Sequence, residues 1–327
     1  MSEILVTGGA GYIGSHTVLS LSEAGYDVTV YDNLSSGFAE AVADSARLVE
    51  ADLSDRQRLD RLLRERPFSA IIHFAASIVV PESVSNPIAY YRNNTANTLS
   101  LVDLALIHGV EHFIFSSTAA VYGIPETVPV KESAPLQPIN PYGRSKLVDE
   151  WILQDACQAH PEMSTIILRY FNVAGADPQG RIGQSTPQAT HLIKVACQTA
   201  LGLRDSLPIY GTDYPTPDGT GIRDYIHVSD LAEAHIQALH ALEDGRESEV
   251  YNCGYGHGYS VREIIEAVER VSGKQLPVRM EPRRAGDPAH LVSDPDKILQ
   301  TLDWRPQHDD IDTIVSSALG WEANRRY

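Results

Sequence analysis

A strand running straight into three glycines at the spacing G-x-x-G-x-x-G constrains this chain more than any other feature. Ile4, Leu5, Val6 and Thr7 form a run without polar alternation, the pattern of a strand buried on both faces. Gly8, Gly11 and Gly14 follow, and a helical pattern begins at Tyr12. Gly8 permits a sharp turn where a side chain would clash. Gly11 lets backbone N–H groups approach a diphosphate at a helix N-terminus, where the dipole favours negative charge. Gly14 lets the first helix lie close against its strand. The arrangement reads as a dinucleotide-binding turn. The plainer alternative is a tight strand–helix loop, but the position after a strand and before a helix favours the first reading.

The chain continues in alternation. A helix is expected over residues 12–23 and a second strand over 28–31, followed by Asp32. Asp32 lies 18 residues after Gly14, the distance expected of a carboxylate that binds an adenosine ribose. A carboxylate there repels a 2′-phosphate, so the expected cofactor is NAD. Asn33, Leu34, Ser35, Ser36 and Gly37 complete this loop and join the candidate cofactor site. A third strand over 47–51 leads to Asp52 and Leu53; Asp52 either accepts from an adenine amino group or simply ends the strand. Ser54-Asp55-Arg56-Gln57 has capping-box form and opens a helix to about residue 66. A fourth strand over 70–74 ends in the small residues Ala75 and Ala76; a helical stretch over 86–108 and a fifth strand over 112–118 follow.

This order predicts an α/β fold: a doubly wound, Rossmann-type parallel sheet with ligands at the carboxyl ends of its strands. After Phe171, proline, glycine and short strands become frequent, as in a smaller mixed α/β C-terminal substrate domain. The expected division is 1–171 for the dinucleotide and 172–327 for the substrate, with segments 222–228 and 250–253 returning to the main sheet. Gly254, Gly256 and Gly258 read as a loop into a capping box at 260–263, and Asp294-Pro295 as a cap with proline at the first helical position.

Composition narrows the ligands. With 26 basic and 43 acidic residues the net charge is −17, which argues against nucleic acid or an anionic membrane as partner. An anionic ligand therefore needs locally placed Arg, Lys and backbone N–H groups. Cys157, Cys197 and Cys253 are odd in number and far apart, and read as reduced, buried thiols of a cytoplasmic protein. No apolar run reaches membrane-spanning length, and no C-x-x-C or H-E-x-x-H spacing suggests a metal.

The chemistry centres on Tyr142 and Lys146. Pro141 opens a helix in which their i, i+4 spacing puts phenol and ammonium on one face. A nearby cation favours the phenolate and lowers the phenol pKa. Thr118, at the end of the fifth strand, can hydrogen-bond the same substrate oxygen. Such a set beside a nicotinamide removes an alcohol proton while hydride leaves the carbon.

These features together resemble the UDP-glucose (UDP-galactose) 4-epimerases of the extended short-chain dehydrogenase/reductase superfamily. The resemblance spans essentially the whole chain. It rests on ILVTGGAGYIGSH, YDNLSSG, HFAAS, YYRNNT, FSSTAAVYG, NPYGRSK, LRYFNVAGADP, PIYGTDYPTPDGTGIRDYIHVSDLAEAH and RRAGDPA. It implies cofactor contacts at Tyr12, Ile13, Asp32, Asn33, Asp52, Leu53, Phe74, Ala75, Ala76, Asn94 and Phe171. It implies UDP-sugar contacts at Asn172, His191, Leu192, Pro208, Tyr210, Arg223, Arg284 and Asp287, and places Leu291 at a pocket-gating position. Three positions depart from common members: Ile78 replaces Lys, His191 replaces Asn, and Thr118 replaces Ser. The family's habit of pairing helices across a dimer implies a homodimer through 94–108 and 143–156.

Other functions compete. Related sugar-nucleotide dehydratases place Asp-Glu directly after the strand-five threonine, where this chain has Ala119-Ala120. Related decarboxylases carry a Glu in this region. A non-catalytic NAD-binding protein would not need Thr118, Tyr142 and Lys146. A 4-epimerase with retained NAD is the reading that remains, and UDP-N-acetylhexosamines, pentoses and uronates stay open as substrates.

Overall fold

Seven strands form one parallel sheet: β1 (Glu3–Thr7), β2 (Asp27–Asp32), β3 (Arg47–Glu50), β4 (Phe68–His73), β5 (His112–Thr118), β6 (Ser164–Tyr170) and, after a long excursion, β11 (Glu249–Cys253). Their spatial order is β3-β2-β1-β4-β5-β6-β11. This is the doubly wound topology expected. The order reverses between β1 and β4, where a crevice opens at the strand ends. The computed structural model describes residues 3–187, 189–284 and 287–327. No helix among them is long and apolar enough to cross a membrane.

Helices cover both faces. On one side α1 (Tyr12–Glu23) packs beside α8 (Val228–Glu243). On the other lie α2 (Arg56–Glu65), α5 (Asn97–Ile107) and α6 (Pro141–Ala159). Central strands read as apolar runs because both their faces are covered; Ile4, Leu5 and Val6 are fully buried. In α2 the leucines 59, 62 and 63 are the buried face, three to four residues apart.

Between β4 and β5 the structure differs from the single helix expected over 86–108. Two short helices, α3 (Val80–Ser85) and α4 (Pro87–Tyr90), lead into a π-helical turn at Tyr91–Ala96 before α5. Pro81 and Pro87 each sit in a first turn, the place a helix tolerates proline. The cap of α2 is also shifted. Asp55, not Ser54, accepts from Arg58 N at 3.0 Å, while the Ser54 hydroxyl turns back to Asp52.

The remaining elements build the second layer above the strand ends. Strand β7 (Asn172–Ala174) pairs with β10 (Tyr225–His227), and β8 (Leu207–Tyr210) with β13 (Val278–Glu281). Strand β9 (Ile222–Arg223) lies between β12 (Tyr259–Ser260) and β14 (His290–Leu291). Segment 222–228 therefore does not join the main sheet, whereas 250–253 lies in β11 at its edge. Helices α7 (Leu192–Ala200), α9 (Val261–Ser272) and α11 (Ile311–Ala323) share a separate core. Ser260 and Glu263 form the expected capping box on α9. Helix α10 (Asp296–Thr301) begins one residue later than its Asp294-Pro295 signal implied, with Pro295 at the cap.

The chain is interleaved. Helix α8, β11, α10 and Trp304 belong to the core under the parallel sheet, although they follow residue 171 in sequence. Trp304 is fully buried and donates to Asp230 O at 2.8 Å. Cys157, Cys197 and Cys253 are free and buried.

Candidate active site

The glycine turn lies at the reversal point of the sheet. Gly8 has φ +73°, and a Cβ there would sit 2.6 Å from Ala75 N. A Cβ on Gly14 would fall 2.2 Å from Gly8 O. Side chains are excluded at both positions, so α1 begins against the end of β1 and the ends of β1 and β4 touch. Gly11 precedes the first helical residue, and no side chain caps its amides. Those N–H groups are the anion-binding kind.

Asp32 ends β2 and is buried. Its Oδ2 accepts from Ala10 N at 2.9 Å and its Oδ1 from Leu34 N at 2.8 Å. The carboxylate thus ties the glycine turn to loop 33–37, in which Leu34 has φ +55° and Gly37 packs on Ala10 O. Asn33 donates to Asp52 at 2.6 Å and accepts from Ser35 N at 3.0 Å. Hydrogen bonds from Ser54 and Asn33 hold the Asp52 carboxyl below its usual range. Leu53 is buried beneath this rim. Tyr12 donates to Gly175 O at 2.7 Å, linking α1 to the second layer, and Ile13 packs into the sheet core. Phe74 lies 4.8 Å from the His235 ring. Asn94, in the π-helical turn, clamps Ser77 by both backbone groups and donates to Ser145 Oγ at 3.0 Å. Ala75 and Ala76 therefore border a small-residue cradle with backbone donors and a rim carboxylate. These residues fit a dinucleotide.

Beyond β5 stands the candidate proton-transfer set. Asn140 caps α6 by accepting from Gly143 N at 2.8 Å, which places Tyr142 in the first turn and Lys146 one turn on. Lys146 is 2% exposed; its Nζ donates to Ser116 O at 2.8 Å and lies 4.5 Å from the Phe115 ring centre. Burial raises the Tyr142 phenol above its usual value, and the Thr118 hydroxyl opposes that rise. The i, i+4 spacing alone predicts that Lys146 lowers this phenol. Instead burial dominates, and the ammonium is engaged at Ser116.

The candidate substrate residues fall into two groups. Asn172, His191 and Leu192 line a cavity of about 20 Å³, room for one water, between β7, α7 and α11. His191 shares a 2.8 Å hydrogen bond with Gln184. In the other group Arg223 pairs with Asp287 and donates to Ile222 O at 2.8 Å. The Arg284 guanidinium stacks 3.7 Å over the Tyr210 ring, and Pro208 lies on the same strand, β8. Leu291 is paired with Arg223 across β9 and β14, and packs with Phe171, Tyr122 and Leu147. Ala285 and Gly286 of the RRAGDPA motif lie outside the described residues.

The NAD dependent epimerase/dehydratase family model matches residues 4–254. The chain belongs to this family. A UDP-glucose 4-epimerase of Azospirillum brasilense is 57% identical over 319 residues, covering 98% of this chain and 91% of that protein. The structure of a Brucella ovis UDP-glucose 4-epimerase in complex with NAD is 45% identical, covers 98% of both chains and superposes with TM-score 0.94. A UDP-Glc/GlcNAc 4-epimerase from Campylobacter jejuni is 52% identical, covering 99% of this chain and 100% of that one, with TM-score 0.87.

Sequence reasoning missed the polar network under α6. Glu150 pairs with Arg169 of β6 at 2.6 Å and takes the Ser117 hydroxyl; both charged side chains are almost fully buried. Arg169 continues to Tyr122 Oη at 2.9 Å, and Tyr122 to Asn252 at 2.6 Å. Charged residues on a helix read as a solvated face, and nothing in the pattern marked these as interior.

Two helical glycines give a contrast that tests the turn. Gly14→Ala meets backbone, whereas Gly320→Ala in α11 meets nothing within 4 Å. The first should destabilise by about 1–3 kcal/mol through overpacking. The second should be neutral or gain up to about 1 kcal/mol. Urea unfolding midpoints of the two variants check the sign of each effect.

Proposed function

We propose that this protein interconverts UDP-glucose and UDP-galactose by oxidation and re-reduction at C4, using tightly held NAD. The observation that carries the reading is the Thr118, Tyr142 and Lys146 set at the end of β5 and the start of α6, with Ala119-Ala120 where a second acid–base pair would stand. One tyrosine suits a reaction that only removes and returns hydrogen. The names of the Azospirillum, Brucella and Campylobacter relatives support the same substrate class.

The glycine turn, Asp32 and the rim residues Asn33, Asp52 and Leu53 would hold NAD, which would supply a hydride acceptor and donor for C4. Tyr142 takes the 4-hydroxyl proton, and Thr118 holds the same oxygen. Lys146, held at Ser116 one turn away, is the buried cation assigned to offset the negative charge that forms as the phenol gives up and takes back its proton. The 4-keto sugar turns over while Arg223 and Arg284 keep hold of the diphosphate; forked guanidinium donors suit that group. Tyr142 then returns the proton to the 4-oxygen. Asn172, His191 and Leu192 on one side, and Pro208 and Tyr210 on β8, are the residues assigned to the nucleotide. In this reading residues 1–171, with α8, β11 and α10 packed against them, hold the cofactor, and the second layer holds the UDP-sugar. Reduced thiols fit a cytoplasmic setting.

Incubation with UDP-galactose alone should yield UDP-glucose without net NAD consumption. Tyr142→Phe should lower kcat by about 10²–10⁴-fold, the range of general acid–base catalysis. A variant with near-normal turnover removes the tyrosine from the reaction, and a wild-type enzyme inert to UDP-galactose sinks the assignment.

Substrate width is proposed to depend on Leu291, which borders the Arg223 strand and is 9% exposed. A larger side chain there excludes added bulk by steric contact. UDP-glucose and UDP-galactose are expected as main substrates, with weaker activity on the N-acetylated pair. Leu291→Tyr should depress the N-acetyl activity well before UDP-galactose turnover. The ratio of kcat/KM values for the two pairs reads this directly, and an unchanged ratio means Leu291 only packs the interior.

A homodimer is the proposed assembly. Leu99 of α5 and Trp151 of α6 are 53% and 52% exposed, and the two helices are neighbours. Pairing them with a second copy buries both residues. Light scattering at micromolar concentration should give twice the chain mass; monomer mass contradicts the proposal.

A further inference from the structure

Asp149 is the one buried carboxylate of α6 whose position the mechanism above leaves unexplained. It is 0% exposed, and neither carboxylate oxygen has a hydrogen-bond partner. The Thr95 hydroxyl, in the π-helical turn, makes only a long 3.4 Å bond to Ser145 O, and it is the one side-chain donor that helps hold the Asp149 carboxyl down, without completing a well-formed hydrogen bond to it. A buried carboxylate without donors is costly unless a cation compensates it. That cation lies three residues earlier, on the same helix face. Lys146 has only one hydrogen-bond acceptor, the Ser116 carbonyl, among the described residues.

Among the described residues the other charges near this lysine are engaged with partners of their own, and Glu150 adds the smaller share of the support. Glu150 is committed to Arg169 and Ser117. His73 of β4 is held neutral by burial, its ring nitrogens bonded to Thr7 at 2.6 Å and Thr98 at 2.8 Å. Elements packed against α6 carry further charges that are engaged elsewhere: Glu82 of α3 with Tyr90, and Asp103 of α5 with Arg56. Arg92 of the π-helical turn is exposed.

We propose that Asp149 is a positioning residue for Lys146: its carboxylate supplies the counter-charge that keeps the ammonium ionised against the Ser116 carbonyl and the Phe115 ring. The electrostatics agree in direction. Burial drives the Lys146 pKa down, and Asp149, followed by Glu150, pushes it back up; burial drives the Asp149 carboxyl up, and Lys146, followed by Thr95, pulls it down. The sequence spacing K-x-x-D places the two one helical turn apart. The proposal rests on the role given to Lys146 in proton transfer.

Asp149→Asn tests it. Removal of the carboxylate lowers the Lys146 pKa, so the lysine loses its proton at lower pH and the alkaline limb of kcat moves down. A shift of about one unit is expected, equal to about a tenfold fall in kcat on that limb. KM should stay within about twofold, because Asp149 is not placed at the UDP-sugar pocket. A purely structural aspartate would change the melting temperature without moving the limb. An unchanged pH profile in folded Asp149→Asn overturns the proposal.

A second measurement does not need activity. In the Lys146→Met holoenzyme, Asp149 loses its cation and should be a neutral acid at pH 8. Infrared spectra should then show a protonated carboxyl band that is absent from wild type and from the Lys146→Met/Asp149→Asn double variant. Absence of the band from Lys146→Met overturns the charge coupling, even where Asp149→Asn fails to fold. Failure of wild type to epimerise UDP-galactose would instead strike the function and leave this spectroscopic result standing.

Discussion

The site depends on the buried ion pair between Glu150 of α6 and Arg169 of β6. Removing two charges from water costs several kcal/mol each, and such a pair is tolerable only with good geometry and satisfied remaining donors. Here Arg169 meets Glu150 through two nitrogens, and its third donor group reaches Tyr122 and Glu132 O. Ser117 fills a further acceptor position on Glu150. The network extends through Tyr122 to Asn252, whose amide donates to Val130 O at 2.8 Å. Hydrophobic packing is non-directional and would let α6 roll over the sheet. The fork of Arg169 does not, so the rotation of α6 is fixed, and with it the direction of Tyr142 and Lys146 over the end of β5.

A second constraint works at the opposite wall of the crevice. The glycine turn brings backbone within a distance that admits no Cβ, and Asp32 locks the neighbouring loop by two amides. One wall is therefore built from missing side chains and backbone donors, the other from a helix set by charge. Contacts across the crevice join them to the second layer. Tyr12 bonds Gly175 O, and Arg181 bridges Asp177 to Glu23 of α1. Phe171 and Leu291 pack together beneath β9.

What could be read from the sequence follows from how strongly each element is patterned. The strands of a parallel sheet are buried on both faces and appear as apolar runs, so β1, β2 and β5 were legible within a residue or so. Gly8, Gly11 and Gly14 were legible because sterics leave no alternative residue at Gly8 and Gly14. Strands of two or three residues carry no period, so the pairing of 222–223 with 259–260 and 290–291 could not be foreseen. The π-helical turn at Tyr91–Ala96 has the composition of an ordinary helix. Asp149, Glu150 and Arg169 were invisible for a different reason. A charged residue is assigned to solvent by default, and only the folded chain shows which charges are inside.

The Tyr142–Lys146 pair shows why local spacing misjudged the electrostatics. An i, i+4 arrangement on an exposed helix would let the ammonium lower the phenol pKa. In this site both groups are desolvated, and desolvation favours the neutral form of each: it raises the tyrosine and lowers the lysine. The proposed chemistry asks for the reverse, a phenolate beside an ammonium. Neither side chain reaches that state from its own position on the helix; each draws on neighbours brought in by tertiary structure. Thr118, delivered by β5, stabilises the phenolate side, and the buried carboxylates Asp149 and Glu150 support the ammonium. The ionisation that proton transfer requires is therefore a property of how α6 is seated on the sheet, and the Y-x-x-x-K motif supplies only the two groups that the seating charges.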